Sequence, residues 1–349
     1  MTMHNIVNVD QPTLLDTMRG AFKLNRPLFI WGSPGIGKSD ITRAFTQTIG
    51  GVLCDIRLAQ YDAVDIRGLP DVNESNSTTV WYPPSTLPFE GNDDWPDDRP
   101  IVLILDEAMQ AAQAVQSVAF QLVLDQRVGE HRLKKNVWIC AASNRETDRA
   151  GVNKMLSPLA NRFMHVQLRP TLDGWKDWAY DAGMSPISIG YLNARPAMLD
   201  QSEEAQKASI KAFPTPRSWH VASDILNTFS DNPELRDIML AATVGEAVSA
   251  ELSQFARMSQ ALPTYDQIVE DPDGTRVPTA NDECYALMTM LSMRTTAEDG
   301  AKVVTYVKRF EQQYAVLWMA DMCRREPTLV INSDALLSYQ TELHSVLYG

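Results

Sequence analysis

The sequence predicts a parallel α/β domain followed by a region built from helices alone. Before residue 170, short apolar runs alternate with amphipathic segments, which is the order expected of a parallel sheet with crossing helices. After it, apolar residues recur at the helical period and strand-like runs stop. With 349 residues the chain can form more than one domain. We place an α/β domain at 1–170, a helical lid at 171–262 and a C-terminal helical extension at 263–349.

The first half contains the candidate elements of the sheet. Apolar runs predict strands at 27–31, 51–58, 100–105, 136–142 and 165–168, and amphipathic runs predict helices at 13–22, 38–49 and 111–124. Two insertions, 68–82 and 127–138, are predicted to be hairpins because polar turn residues separate short runs within them.

The second half is predicted to be helical. Helices are expected at 172–182, 217–229, 233–242 and 246–262, followed by two or three more that include 283–293 and 301–322. Residues 263–278 are interpreted as a polar break because they are rich in Asp, Glu, Gly and Pro. Trp175 and Trp178 are three residues apart, so both are expected on one buried helix face.

The amino-acid composition indicates which kinds of partner the protein can bind. Acidic residues outnumber Lys and Arg by 44 to 31, for a net charge of −13, which disfavours nucleic acid as a partner but leaves a local basic pore open. The longest strongly apolar stretch, 101–105, is too short to span a bilayer, and the N-terminus lacks the pattern of a signal peptide. We therefore expect a cytoplasmic protein without membrane contact.

The cysteines indicate neither a metal site nor a redox motif. The four residues are far apart in sequence and form no CxxC pair. They are predicted to be buried free thiols in a reducing compartment, at Cys54, Cys140, Cys284 and Cys323.

A glycine-rich loop connects the first candidate strand to a helix. Residues 32–39, Gly-Ser-Pro-Gly-Ile-Gly-Lys-Ser, match the phosphate-binding pattern GxxxxGK[ST]. Glycines let backbone N–H groups turn toward a β-phosphate, and the helix directs its positive end at the same group. Lys38 is predicted to reach the β- and γ-phosphates of ATP, and Ser39 to bind Mg²⁺. The strand–loop–helix context disfavours an accidental turn. The predicted nucleotide-binding residues are Gly32, Ser33, Pro34, Gly35, Ile36, Gly37, Lys38 and Ser39.

Two carboxylates follow the buried run 101–105. Asp106 is predicted to hold Mg²⁺ through water, so that Ser39 and Asp106 form the metal site. Glu107 is predicted to orient and deprotonate the attacking water, which favours hydrolysis over transfer to an acceptor. These side chains end a strand, where open α/β sheets bind their ligands.

A third strand runs into Ser143 and Asn144. An amide at this strand tip can position the attacking water beside the γ-phosphate, although an Asn at a strand end is often only a turn residue. Because Asn144 follows the glycine-rich loop and the carboxylate pair in the chain, we favour a role in positioning water over a mere turn residue.

Taken in order, these motifs resemble the AAA+ superfamily, and within it the MoxR-like branch. The resemblance covers roughly the first 230 residues. Besides the motifs above it depends on Ser-Pro-Leu-Ala-Asn-Arg-Phe at 157–163 and Thr-Pro-Arg-Ser at 215–218. It implies that Arg162 is an arginine finger reaching the γ-phosphate of a neighbouring subunit, and that Arg217 is a second sensor on a lid helix. Arg145 and Arg149 remain alternatives for the residue that acts in trans.

The resemblance also implies how the protein works. An arginine supplied in trans requires a homo-oligomeric ring, which in this family is a hexamer. Relatives couple ATP hydrolysis to remodelling or activation of a partner protein, typically one with a von Willebrand factor A-like domain. The two insertions are similar to the helix-2 insert and the pre-sensor hairpin, which face the pore or the partner in relatives. Ordinary connecting hairpins are the alternative.

Other functions of a phosphate-binding loop are less favoured. A DNA- or RNA-acting motor or loader conflicts with the acidic balance. Glu107 and the candidate arginines disfavour a small-molecule kinase, and a GTPase-like switch lacks an NKxD motif. A scaffold without turnover would not need Lys38, Ser39 and both carboxylates.

Overall fold

The computed structural model describes residues 6–73, 78–145, 155 and 160–348. The chain divides into two compact units, Met1–Arg169 and Pro170–Gly349. The first is a parallel α/β core with a phosphate-binding loop and the second is helical, so the predicted fold class is confirmed. Within the described ranges, no helix is long and apolar enough to cross a membrane.

A six-stranded parallel sheet forms the centre of the first unit. The ten described strands of this unit are β1 Val7–Val9, β2 Leu28–Trp31, β3 Val52–Arg57, β4 Leu69–Asn73, β5 Thr78–Tyr82, β6 Ile101–Asp106, β7 Arg127–Val128, β8 His131–Arg132, β9 Val137–Ser143 and β10 Met164–Leu168. The sheet order is β1-β10-β2-β9-β6-β3. All five predicted sheet strands are present, and the three-residue edge strand β1 was not predicted.

Helices cover both faces of this sheet. They are α1 Gln11–Lys23, α2 Lys38–Thr48, α3 Ala63–Arg67 and α4 Gln113–Asp125. One apolar cluster joins α1 and α2 to one face, with Leu14 and Phe45 fully buried. Another joins α4 to the opposite face through Phe120. Because both faces are covered, the central strands are continuous apolar runs instead of alternating ones.

The register brings three strand ends to one edge. Trp31 at the end of β2 pairs with Ser143 at the end of β9, and Leu105 near the end of β6 pairs with Ala141. The residues that follow these strands therefore meet at the carboxyl edge of the sheet, which is where the loop after β2 also lies.

Both predicted hairpins are present in the described residues. β4 and β5 pair antiparallel, as do the short strands β7 and β8. Nε2 of His131 lies 2.8 Å from the carbonyl oxygen of Trp81, and this contact links the two hairpins. The Arg67 guanidinium stacks over the Trp81 ring at 4.9 Å.

The second unit contains helices and, in its described part, no strand. Its α-helices are α5 Leu172–Asp181, α6 Pro186–Ala194, α7 Ser202–Ala208, α8 Pro216–Thr228, α9 Pro233–Val244, α10 Glu246–Ser259, α11 Tyr265–Glu270, α12 Asn281–Arg294, α13 Gly300–Val307, α14 Gln312–Arg325, α15 Pro327–Ile331 and α16 Asp334–Tyr348. Two apolar clusters fill it, and α12 contributes to both. The division of this unit into a lid and an extension stays a prediction.

Three local predictions for this unit are wrong. The region predicted to be a polar break, 263–278, contains helix α11. A capping box between Thr264 and Gln267 forms the N-terminus of this helix. The single helix expected at 301–322 is two helices, since α13 ends at Val307 and α14 begins at Gln312. The two helices pack against different partners: α13 contacts α16, and α14 contacts α12. Trp178 is 42% exposed and meets the edge of His220, whereas Trp175 is buried as expected.

Candidate nucleotide-binding site

The glycine-rich loop has the backbone that a phosphate cradle requires. Gly35 and Gly37 have φ of 79° and 90°, a region that favours glycine. A Cβ on Gly32 would lie 2.3 Å from Ile36 Cδ1 and 3.2 Å from the carbonyl oxygen of Leu168, so a larger residue here would require the Ile36 side chain to move. Helix α2 begins at Lys38 directly after Gly37, and no side chain caps its first turn. Its N-terminal N–H groups are thus available to an anion.

Lys38 connects the loop to the third strand end. Its buried ammonium donates to the carbonyl oxygens of Gly32 at 2.8 Å and Ser33 at 3.0 Å. It also donates to Oδ1 of Asn144 at 3.2 Å, across 106 residues of sequence. The structure therefore brings Lys38 and Asn144 together, as expected for residues that share one phosphate.

Ser39 and Asp106 also meet. The Ser39 hydroxyl donates to Asp106 Oδ2 at 2.6 Å, and the backbone N–H of Glu107 donates to Asp106 Oδ1 at 2.8 Å. A hydroxyl and a carboxylate are hard oxygen ligands of the kind that Mg²⁺ takes in nucleotide sites. The two side chains fit such an ion, directly or through water.

Glu107 has an unusual backbone conformation. Its φ is 54°, which is uncommon for a residue with a side chain and costs about 1–2 kcal/mol. The turn is held because Ala108 N donates to Ala142 O and Gln110 N donates to Glu107 O. Because of this turn the backbone leaves β6 at Glu107, and the half-buried Glu107 side chain lies just beyond the end of the strand.

A third carboxylate, that of Asp55, adds negative charge near Asp106. Asp55 lies on β3, which pairs with β6. Burial, and then the charge of Asp106, raise the pKa of Asp55 above its usual value. Its Oδ1 is buried and has no hydrogen-bond partner among the described residues. A cation in this region would relieve that repulsion.

Sequence reasoning missed Gln110 as part of this edge. Ser143 Oγ donates to Gln110 Oε1 at 2.9 Å, which ties the strand end before Asn144 to the turn after Glu107. The Gln110 side-chain nitrogen is buried without a partner in the described part of the chain. The one available signal was a polar amide four residues after Asp106, which is too weak to use alone.

The candidate arginines have different surroundings. Arg145 is buried against its own loop, with Nη2 donating to Ser33 Oγ at 2.6 Å. Arg162 is exposed in the turn before β10, while the adjacent Phe163 packs edge-on against Phe29 at 5.3 Å. Arg149 lies outside the described residues.

Arg217 belongs to the second unit, in the first turn of α8. Thr215 caps this helix and forms a capping box with Ser218. The Arg217 side chain is exposed. Its assignment as the second sensor stays a prediction.

A parallel sheet, a glycine-rich loop that leads into α2, and a Ser–Asp pair at the strand ends define the class of the fold: a P-loop α/β fold. No family model matches the chain. The chain is similar to the solved RuvB Holliday junction branch migration motor of Thermotoga maritima, at 12% identity and a TM-score of 0.36, over 74% of each chain. It is also similar to NtrX of Brucella abortus in complex with ADP, at 15% identity and a TM-score of 0.35, over 96% of this chain and 68% of that one.

Proposed function

We propose that this chain is an AAA+ ATPase of the MoxR-like branch that hydrolyses ATP to remodel or activate a partner protein. The proposal of ATP hydrolysis is supported by one set of contacts at the carboxyl edge of the sheet. Lys38 reaches Asn144, and Ser39 reaches Asp106, so residues from the loop and two strand ends lie together. Each has the chemistry that phosphoryl transfer to water needs.

Binding would begin at the loop. Backbone N–H groups of residues 35–39 and the start of α2 provide partial positive charge for the β-phosphate. Lys38 would exchange the carbonyl oxygens of Gly32 and Ser33 for phosphate oxygens, which are stronger acceptors because they are charged.

Chemistry would take place next to Glu107. Asn144 would orient a water molecule and Glu107 would take its proton as the water attacks the γ-phosphate. Ser39 and Asp106 would hold Mg²⁺, which when bound neutralises charge on the phosphate oxygens. A carboxylate in the position of Glu107 would favour attack by water over transfer to a second substrate.

Ring assembly rests on Arg162. Arg162 is exposed in the turn before β10, where a neighbouring copy could reach it, and its charge would stabilise the transferring phosphoryl group there. We accordingly propose a homo-oligomeric ring, a hexamer by resemblance, with Arg217 as the second sensor. A von Willebrand factor A-like protein is the proposed partner on the same ground.

The substitution Glu107→Gln tests the hydrolytic assignment. The variant should bind ATP with an affinity within about threefold of wild type, because the amide removes only the base. Its turnover should fall by about 10²–10⁴-fold, the usual contribution of a general base. Phosphate release and nucleotide binding measure the two properties, and light scattering with ATP should show a persistent oligomer.

The matched control is Glu90→Gln, which makes the same chemical change at an exposed residue before the sheet strand β6. It should retain wild-type turnover. Normal phosphate release by Glu107→Gln would show that Glu107 is not the base. A wild-type protein that binds no ATP would remove the ATPase proposal altogether.

A further inference from the structure

Gln110 lies in the turn that follows β6, and its side chain connects this turn to the end of β9. Its backbone N–H donates to the carbonyl oxygen of Glu107 at 3.0 Å. Its side-chain Oε1 accepts from the Ser143 hydroxyl at 2.9 Å, across 33 residues of sequence. One residue therefore joins the turn that carries the proposed base, Glu107, to the strand end directly before Asn144, the proposed water-orienting amide.

A second contact joins the same turn to the same strand. Ala108 N donates to Ala142 O at 3.1 Å, directly after Glu107, whereas Gln110 is three residues beyond Glu107. The backbone of Glu107 has a φ of 54°, an unfavourable conformation that persists only where the surroundings hold it. These two contacts hold the turn at its beginning and at its end, and only the one at its end depends on a side chain.

The side-chain contact consists of a single hydrogen bond. Nε2 of Gln110 is buried and has no hydrogen-bond partner in the parts of the chain that the structure describes, so only Oε1 joins the amide to the strand. Ser143 is 1% exposed, so its hydroxyl is shielded from bulk water. Removal of either partner should therefore break the same connection.

We propose that Gln110 is a positioning residue for hydrolysis: its contact with Ser143 sets the separation between the Glu107 carboxylate and the Asn144 amide, which act on one water molecule. This inference rests on the proposed ATPase function and gives a role to a residue outside the phosphate-binding loop. Two groups that act on one water must both stay within hydrogen-bond reach of it, and a shift of about 1 Å can cost about 100-fold in rate. Loss of the contact should slow the cleavage of ATP and leave nucleotide binding intact.

Two substitutions remove the contact from opposite sides. Gln110→Met keeps a side chain of similar size without the amide, and Ser143→Ala removes the hydroxyl. Each should lower the single-turnover rate of ATP cleavage by about tenfold. The affinity for ADP with Mg²⁺, measured by titration calorimetry, should stay within about twofold of wild type, because the contact affects the reacting water and not the bound phosphates.

The double variant Gln110→Met with Ser143→Ala separates positioning from support of the fold. Each single change leaves a buried polar group without its partner, which should lower the melting temperature by about 2–4 °C. Removal of both partners at similar volume should keep it within about 2 °C of wild type. If Gln110 positions the two groups, the double variant cleaves ATP as slowly as the single variants. If the contact only supports the fold, the rate recovers together with the melting temperature, and the proposal is overturned.

Gln113→Met and Ser117→Ala are the matched controls, because they make the same chemical changes at exposed residues of α4. Both should cleave ATP and melt as wild type does. Wild-type protein that cleaves no ATP would refute the ATPase proposal and this role with it. Wild-type protein that cleaves ATP, with a Gln110→Met variant that cleaves it equally fast, would refute only the role of Gln110.

Discussion

At the scale of single residues, His165 is held in one protonation state next to the loop-bearing strand. The indole N–H of Trp31 donates to His165 Nδ1 at 3.1 Å, so that nitrogen must be an acceptor. The other nitrogen, Nε2, lies 2.7 Å from the carbonyl oxygen of Ala160 and must donate. Only the neutral ring with its proton on Nε2 satisfies both contacts.

This environment predicts a dependence of stability on pH. Burial lowers the pKa of His165 below its usual value, opposed by the bond to Ala160. The unfolded chain therefore binds more protons near pH 6.5 than the folded one. The contribution to stability is complete above that pH and is lost as the pH falls through it. Urea unfolding should show a smaller free energy of unfolding at pH 5.5 than at pH 7.5.

His165→Gln is the comparison, because an amide can accept from Trp31 and donate to Ala160 without titrating. The variant should lose less stability than wild type between the two pH values. An identical loss in both proteins would assign the pH dependence to other groups.

At the scale of elements, Gly68 determines how the β4–β5 hairpin leaves the core. Its φ is 90° with an extended ψ, a conformation essentially restricted to glycine. A Cβ there would lie 2.0 Å from the carbonyl oxygen of Tyr82, the residue that closes the hairpin. Backbone conformation and the close approach of the other strand thus both require glycine.

Gly68→Ala should destabilise the hairpin by about 1–3 kcal/mol, because the strained backbone cannot relax without moving β5. Hydrogen exchange of the β4 and β5 amides should accelerate while that of the central sheet stays slow. Gly20→Ala is the matched control: Gly20 lies within α1 with nothing within 4 Å of a new Cβ, so this change should stabilise by about 0.5–1 kcal/mol. Unaltered exchange in Gly68→Ala would contradict the steric argument.

At the scale of the whole molecule, a buried ion pair joins distant parts of the second unit. Lys176 on α5 donates to Asp321 on α14 at 2.6 Å, and both side chains are at most 3% exposed. Asn193 on α6 donates to Asp321 and to Thr289 on α12. Four helices therefore share one polar network, and residues from both sides of the predicted boundary at 262 take part in it.

Asp321→Ala should lower the free energy of unfolding by about 3–5 kcal/mol, because the buried Lys176 ammonium would keep only the exposed Asp173 carboxylate, 3.7 Å away, as a counter-charge. The double variant Lys176→Met with Asp321→Leu should recover most of this loss, since it removes both charges at similar volume. Denaturant unfolding of the three proteins measures the difference. A double variant as unstable as Asp321→Ala would indicate that the packing, and not the charge, is critical.

Local patterns accounted for much of the fold and for the candidate site. Strands β2, β6 and β9 were predictable because both faces of the sheet are covered, which makes them continuous apolar runs. The short strand β1 and helix α11 were not, since three or six residues carry too little pattern and depend on neighbours for their stability.

The sequence by itself determined the class of the fold and which side chains stand at the strand ends, because the glycine-rich loop and the two carboxylates are each encoded in contiguous residues. Only the tertiary structure decided which of them touch. Arg145 was one of three candidates to act in trans, and it lies instead against Ser33 of its own loop. That contact depends on the order of strands in the sheet, which places residues 112 apart in sequence side by side. No local pattern specifies such a pairing.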